Sequence, residues 1–200
     1  MSMEPTAVAA PAPGYPLRYD VEYPESLSRL LIFVKWLLAI PQFVVVYLLS
    51  LIAEVFIFIA FFAILFTRKY PRGLFDFVVN YYRWNANVSA YVGLLRDEYP
   101  PFSWDVGKYP VTLEVDYPDQ LGRWLPLIKW LLVIPHIIVI MFLGIIAFLF
   151  YIIAFFAILF TGKFPRGMFD FIVGVTRWSY RVNAYAFLLL TDEYPPFSLK

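Results

Sequence analysis

The chain has no cysteine, a single histidine and few charges, with Asp, Glu, Lys and Arg making up 16% of its 200 residues. An ordinary soluble domain carries about 25%. Without cysteine, disulfides and thiolate metal sites are excluded. His136 has no second imidazole or nearby carboxylate pair with which to build a metal centre. A formal net charge of +1 leaves no basic footprint for a nucleic acid. Gly-rich phosphate loops, nucleophile elbows and HExxH pairs are all missing. These absences leave no catalytic constellation, and the chain reads as a non-enzyme without cofactor or metal.

Apolar and aromatic residues are abundant instead. The chain is 62% hydrophobic, with 21 Phe, 15 Tyr and 6 Trp. Disordered chains lack such residues, and a soluble domain of this length has too little interior to hide them. The expected class is an all-α integral membrane protein with the lipid bilayer as its first partner. Met1–Gly14, rich in Ala and Pro, lacks the basic and apolar regions of a signal peptide and reads as a flexible tail.

A shift of 94 residues superposes Tyr15–Leu95 on Tyr109–Leu189. Lys35-Trp36 falls on Lys129-Trp130, Pro41 on Pro135, Phe61–Thr67 on Phe155–Thr161, and Arg83-Trp84 on Arg177-Trp178. After one inserted residue, Asp97–Ser103 recurs as Asp192–Ser198. The chain is therefore one membrane module written twice, residues 15–104 and 105–200. Each module opens on an alternating segment, Leu17–Glu22 or Val111–Asp116, that reads as a short β-segment at the membrane surface. A long apolar stretch, a basic turn and an amphipathic helix of about two dozen residues follow, closed by Tyr-Pro-Pro.

The apolar stretch Leu30–Phe66 has 37 residues, roughly 55 Å as a straight helix, against a bilayer core of ~30 Å. Two readings fit. In one, Pro41 and Pro135 separate a surface-lying helix, with Lys35 and Trp36 at headgroup depth, from one kinked span. In the other, favoured here, the stretch is a hairpin with its apex at Ser50–Glu54 or Gly144–Ala147, giving four crossings in all; six follow if the last helix also spans. The basic turns 67–73 and 161–167 mark the cytoplasmic side of a multi-pass protein.

The last helix carries Asp76, Asn80, Arg83 and Asn87 at spacings of four, three and four, a single polar stripe. In the second copy Asp170, Arg177 and Arg181 lie in register, with Gly174 replacing Asn80. Such a stripe faces water at the interface, or else a partner helix, pore or headgroup cleft. Glu54 is the one acid inside an apolar stretch, a candidate intramembrane acid or else an apex residue in wet headgroups. His136 reads as a polar residue at headgroup depth. The pairs Asp97-Glu98 and Asp192-Glu193 read as solvated helix ends.

The segments Phe156–Trp178, Asn183–Leu199 and Tyr109–His136, repeated in the first copy, resemble a bacterial integral-membrane family. It is known as domain-of-unknown-function family four-three-eight-nine. The resemblance implies a bacterial plasma membrane and brings no activity with it. The leading functional expectation is a scaffold or accessory subunit packed against other membrane subunits. The alternatives are a channel or transporter subunit and a membrane-shaping hairpin protein.

Overall fold

A computed structural model describes residues 14–200, so the tail assigned to residues 1–14 lies outside the described residues except for Gly14. The order is β1 (Leu17–Val21), α1 (Leu31–Leu38), α2 (Ile40–Thr67), α3 (Arg72–Val92), β2 (Val111–Val115), α4 (Leu125–Leu132), α5 (Ile134–Thr161) and α6 (Arg166–Ala186). The duplication is thus visible element by element.

Helices α2 and α5 are each continuous over 28 residues. The hairpin expectation is corrected: Ser50–Glu54 and Gly144–Ala147 lie inside unbroken helix. An isolated serine or glycine among Leu, Ile, Ala and Phe supplies no alternative partner for the backbone, and helical bonding persists. The break falls earlier, at Ala39 and Val133, with Pro41 and Pro135 in the first turn of the next helix. There a missing N–H costs nothing. The bend is mild, because Ala39 N–H still donates to Lys35 and Ala39 O accepts from Phe43. Each apolar stretch is therefore a bent rod, the kinked alternative.

At the far end, Arg68 and Gly162 cap α2 and α5 in the left-handed conformation, at φ 61° and 71°. Glycine adopts it freely, whereas arginine brings its Cβ against the backbone. Arg68→Gly is expected to stabilise the protein by roughly 0.5–1 kcal/mol, read as a higher thermal midpoint in detergent. A lower midpoint would mean that the exposed Arg68 side chain has a partner outside this chain. Tyr70-Pro71 and Phe164-Pro165 then turn the chain into α3 and α6. The turns are closed by Thr67 and Thr161, whose hydroxyls accept from the backbone N–H of Lys69 and Lys163 and donate back to Ala63 and Ala157 at 2.6 Å.

Helix α3 returns along α2. Phe77 meets Phe56 edge-on at 4.9 Å, Trp84 reaches Gln42, and Tyr91 sits over Lys35. Phe75, Val78, Val79, Tyr82, Ala86 and Ala90 form its buried face, at the helical spacing of a core-facing stripe. Helix α6 repeats this on α5, with Phe171 on Phe150 at 5.1 Å.

The strands pair with each other, antiparallel, in the register Leu17↔Val115, Tyr19↔Leu113 and Val21↔Val111. They are also exchanged between modules. Strand β1 packs on α6 and β2 on α3. The exchange continues beyond the strands. Leu27 N–H donates to Gly162 and Leu121 N–H to Arg68, while the Tyr23 and Tyr117 hydroxyls donate to the carbonyls of Phe164 and Tyr70. Each module's opening segment therefore completes the other module's helical hairpin. Positive φ at Leu94 and Leu189 marks equivalent positions and places the inserted residue of the second copy just before Leu189.

Candidate functional site: the exchange seam, the buried lysines and an apolar groove

The two polar stripes line the exchange seam. Arg83 donates from Nε to Leu113 O of β2 at 3.0 Å and from Nη1 to Asn80 Oδ1 at 2.7 Å. Arg177 mirrors it on β1, donating to Tyr19 O at 2.7 Å and to Asp20 at 2.9 Å. Asp76 holds Arg72 at 3.1 Å, and that guanidinium lies 4.5 Å over the exchanged Tyr117 ring. Asp170 holds Arg166 at 3.0 Å, with the guanidinium 4.6 Å over Tyr23. Arg181 is buried, donating to Lys200 O at 2.6 Å and facing the Tyr15 ring. Asn87, at the equivalent position of α3, is buried, its Oδ1 without a partner among the described residues.

The seam also explains why Gly174 stands where the first copy has Asn80. A Cβ at Gly174 would come within 2.8 Å of Leu199 O, the same carbonyl that accepts from Arg177 Nη1. In the first copy the chain after Ser103 leads into β2, leaving room for Asn80.

Lysines read as headgroup anchors turn out to be buried, and this corrects that expectation. Lys35 and Lys129 are 1% and 0% exposed. Each Nζ sits 2.7 Å from a carboxylate, Asp97 or Asp192. Each also donates to a carbonyl, Arg96 at 2.6 Å or Thr191 at 2.7 Å, beneath the Tyr91 or Tyr185 ring. Burial pushes the Lys35 ammonium below the ordinary lysine range, and Asp97 offsets part of that shift. The same aspartates accept the backbone N–H of Ser28 and Gly122. The Asp-Glu-Tyr-Pro-Pro segments are thus straps across the α1–α2 and α4–α5 bends, not solvated helix ends. Tyr99 and Tyr194 extend the straps by donating to Leu38 and Leu132. A lysine at helical spacing among Leu and Trp looks like a snorkelling anchor. The repeated Lys with a repeated Asp 62 or 63 positions later was the available signal of pairing.

His136, read as a polar residue meeting headgroups, is instead fully buried within the chain. Its Nδ1 accepts from Trp178 Nε1 at 3.0 Å, Phe197 stacks on it at 3.8 Å, and its Nε2 has no partner among the described residues. In the first copy Gln42 accepts from Trp84 at 2.8 Å and donates to Pro100 O at 2.6 Å. His136→Gln should reproduce that pair with Pro195 and satisfy the orphaned position. We expect the substitution to be neutral or stabilising by up to about 1 kcal/mol. A loss of more than about 2 kcal/mol in thermal or chemical unfolding would contradict the equivalence.

Glu54 lies on α2, exposed, in a groove of 480 Å³ between α2, α4 and the end of α6. Tyr81, Trp130 and Phe58 share its walls. In the second copy Phe148 replaces Glu54 and Tyr151 replaces Ile57. The Tyr151 hydroxyl closes against Gly93, 3.1 Å from where a Cβ would stand. The acid therefore belongs to one half only. Among the described residues no group of three His, Asp or Glu could hold a metal ion.

Known families account for the repeated part of this architecture. The family described as "Domain of unknown function (DUF4389)" matches residues 29–103 and again residues 124–198. The chain belongs to this family. The two matches cover the bent rod, the return helix and the strap of each half, and leave both strands outside. A search of curated proteins and a search of solved structures each found no match. In this chain each matched segment is a helical hairpin clasped by its own strap, and the exchanged strands lie outside the matches.

Proposed function

We propose that the chain is a non-catalytic membrane-embedded scaffold or accessory subunit, placed in a bacterial plasma membrane. Helix α2 and the stretch Leu125–Thr161 of α4 and α5 are long and apolar enough to cross a membrane by length and composition. One observation carries the reading. The outward faces of α1, α2, α4 and α5 are apolar and unpartnered among the described residues, as at Phe58, 65% exposed, and Phe148, 64% exposed. Meanwhile Arg83 and Arg177 are engaged internally by strand carbonyls. A contiguous apolar surface of this extent needs lipid or protein to cover it. The channel reading has less support, because Arg83 and Arg177 face strands rather than an open lane.

The test is site-specific photocrosslinking in native membranes from positions 58 and 148, with position 112 on the sheet as control. A scaffold gives discrete protein adducts from 58 or 148. Adducts with lipid alone from both positions would overturn the scaffold role.

A further inference from the structure

The direction in which this molecule sits in lipid can be derived from its internal symmetry. Tyr19 lies directly opposite Leu113, and these two are repeat equivalents, 94 positions apart. An axis that exchanges directly opposed residues of an antiparallel pair stands perpendicular to the sheet. The two halves are therefore related by a pseudo-two-fold axis along the sheet normal.

The remaining layers follow from the contacts. The β2 segment runs the length of α3 in the opposite direction. Tyr109 reaches Glu98 O beyond the helix end, Leu113 meets Arg83 in its middle, and Tyr117 meets Arg72 and Tyr70 at its start. Helix α3 in turn runs antiparallel along the α1–α2 rod, from Phe56 back through Gln42 to Lys35. Strand, return helix and apolar rod are stacked lengthwise, all lying across the two-fold axis. The other half obeys the same order.

The two ends of that axis differ in chemistry. At one end the sheet's outer face carries Arg18, Asp20, Thr112, Glu114 and Asp116, with Arg18 held by Glu114 at 3.2 Å and by Asp116 at 2.6 Å. At the other end lie the rods, exposing Phe43, Leu51, Val55, Phe58 and Phe62 on α2 and their counterparts on α5. If α2 crossed the bilayer, β2 would stand upright beside it. The sheet's charges would then lie at mid-membrane depth, each costing roughly 2.5–3.5 kcal/mol. With the axis along the membrane normal, every charge on the sheet stays in water. The rods, ~10–12 Å in diameter, then fill much of one leaflet, half of a ~30 Å core.

The geometry points to a monotopic seat: the α1–α2 and α4–α5 rods lie in the membrane plane within the acyl region of a single leaflet, and the sheet faces water. The rods are seated in the lipid of one leaflet, and the protein partners of the scaffold meet them sideways within that layer. This proposal rests on the membrane reading above and replaces crossing rods by lying ones. It also leaves both basic turns at the same depth.

Depth profiling of the full chain tests it, aided by the absence of native cysteine. Tyr47→Cys, Leu51→Cys, Val55→Cys, Phe58→Cys and Phe62→Cys, with Thr112→Cys as control, would carry nitroxide labels in phosphatidylcholine–phosphatidylglycerol vesicles. Collision with oxygen against a water-soluble nickel chelate reports depth. The expected profile is flat along α2, oxygen-rich at all five positions and nickel-rich at 112. A profile that changes steadily in depth from position 47 to 62, or passes through a midplane extremum, would overturn the lying rod while leaving the membrane reading intact. Failure of the protein to float with vesicles would overturn both.

Discussion

Asp97→Ala is expected to destabilise the protein by about 3–5 kcal/mol, among the largest effects of any single substitution here. Removing the half-buried carboxylate that pairs with a buried lysine leaves an uncompensated charge in a poorly polar site. Lys35 is that charge, held by Asp97 at 2.7 Å with its side chain 2% exposed. Asp192→Ala should do the same to Lys129, whose side chain is 1% exposed. Adding Lys35→Met to Asp97→Ala should recover much of the loss, since apolar replacement of a whole buried pair is often neutral. Chemical unfolding of the three variants in detergent, followed by circular dichroism, closes this double-mutant cycle. A single Asp97→Ala loss below about 1 kcal/mol, the range of exposed pairs, would mean that water reaches Lys35 and the strap is not a structural clasp.

A break in the loop between the halves should leave the molecule whole. Trp104–Lys108 is exposed and lies outside every helix and strand, yet each half holds the other's strand. The bonds from Leu27 to Gly162, Leu121 to Arg68, Arg83 to Leu113 and Arg177 to Tyr19 all cross between halves. With a protease site inserted at Val106-Gly107, cleaved protein is expected to migrate as one particle on size exclusion in detergent. The two fragments should separate only on denaturation. Fragments that part without denaturant would contradict the exchange.

Much of this architecture was legible in the residues. The repeat, the break near each proline, the basic turn and the return helix follow from local chemistry, because proline, periodicity and tyrosine-proline pairs act within a few positions. What was missed depends on distant partners. The polar stripe was visible as Asp76, Asn80, Arg83 and Asn87, but helical spacing says which residues share a face and nothing of what meets it. A strand from the other half meets it. The buried lysines were misread for the same reason: Lys35 is an interfacial anchor on composition alone, and only Asp97, far along the chain, makes its burial tolerable. The favoured hairpin failed because charge placement and span length were fitted to a crossing. The return helix, packed along the whole rod, removes the need for any turn at Glu54.

Polarised infrared spectroscopy of the protein in aligned supported bilayers measures the direction of the rods most directly. Helices α2 and α5, 28 residues each, and α3 and α6, 21 residues each, dominate the amide I band. A monotopic seat predicts that their mean axis lies in the bilayer plane, with amide I dichroism of in-plane helices at every lipid ratio where the protein is bound. Dichroism of helices aligned with the bilayer normal would contradict it and return α2 and α5 to crossing spans.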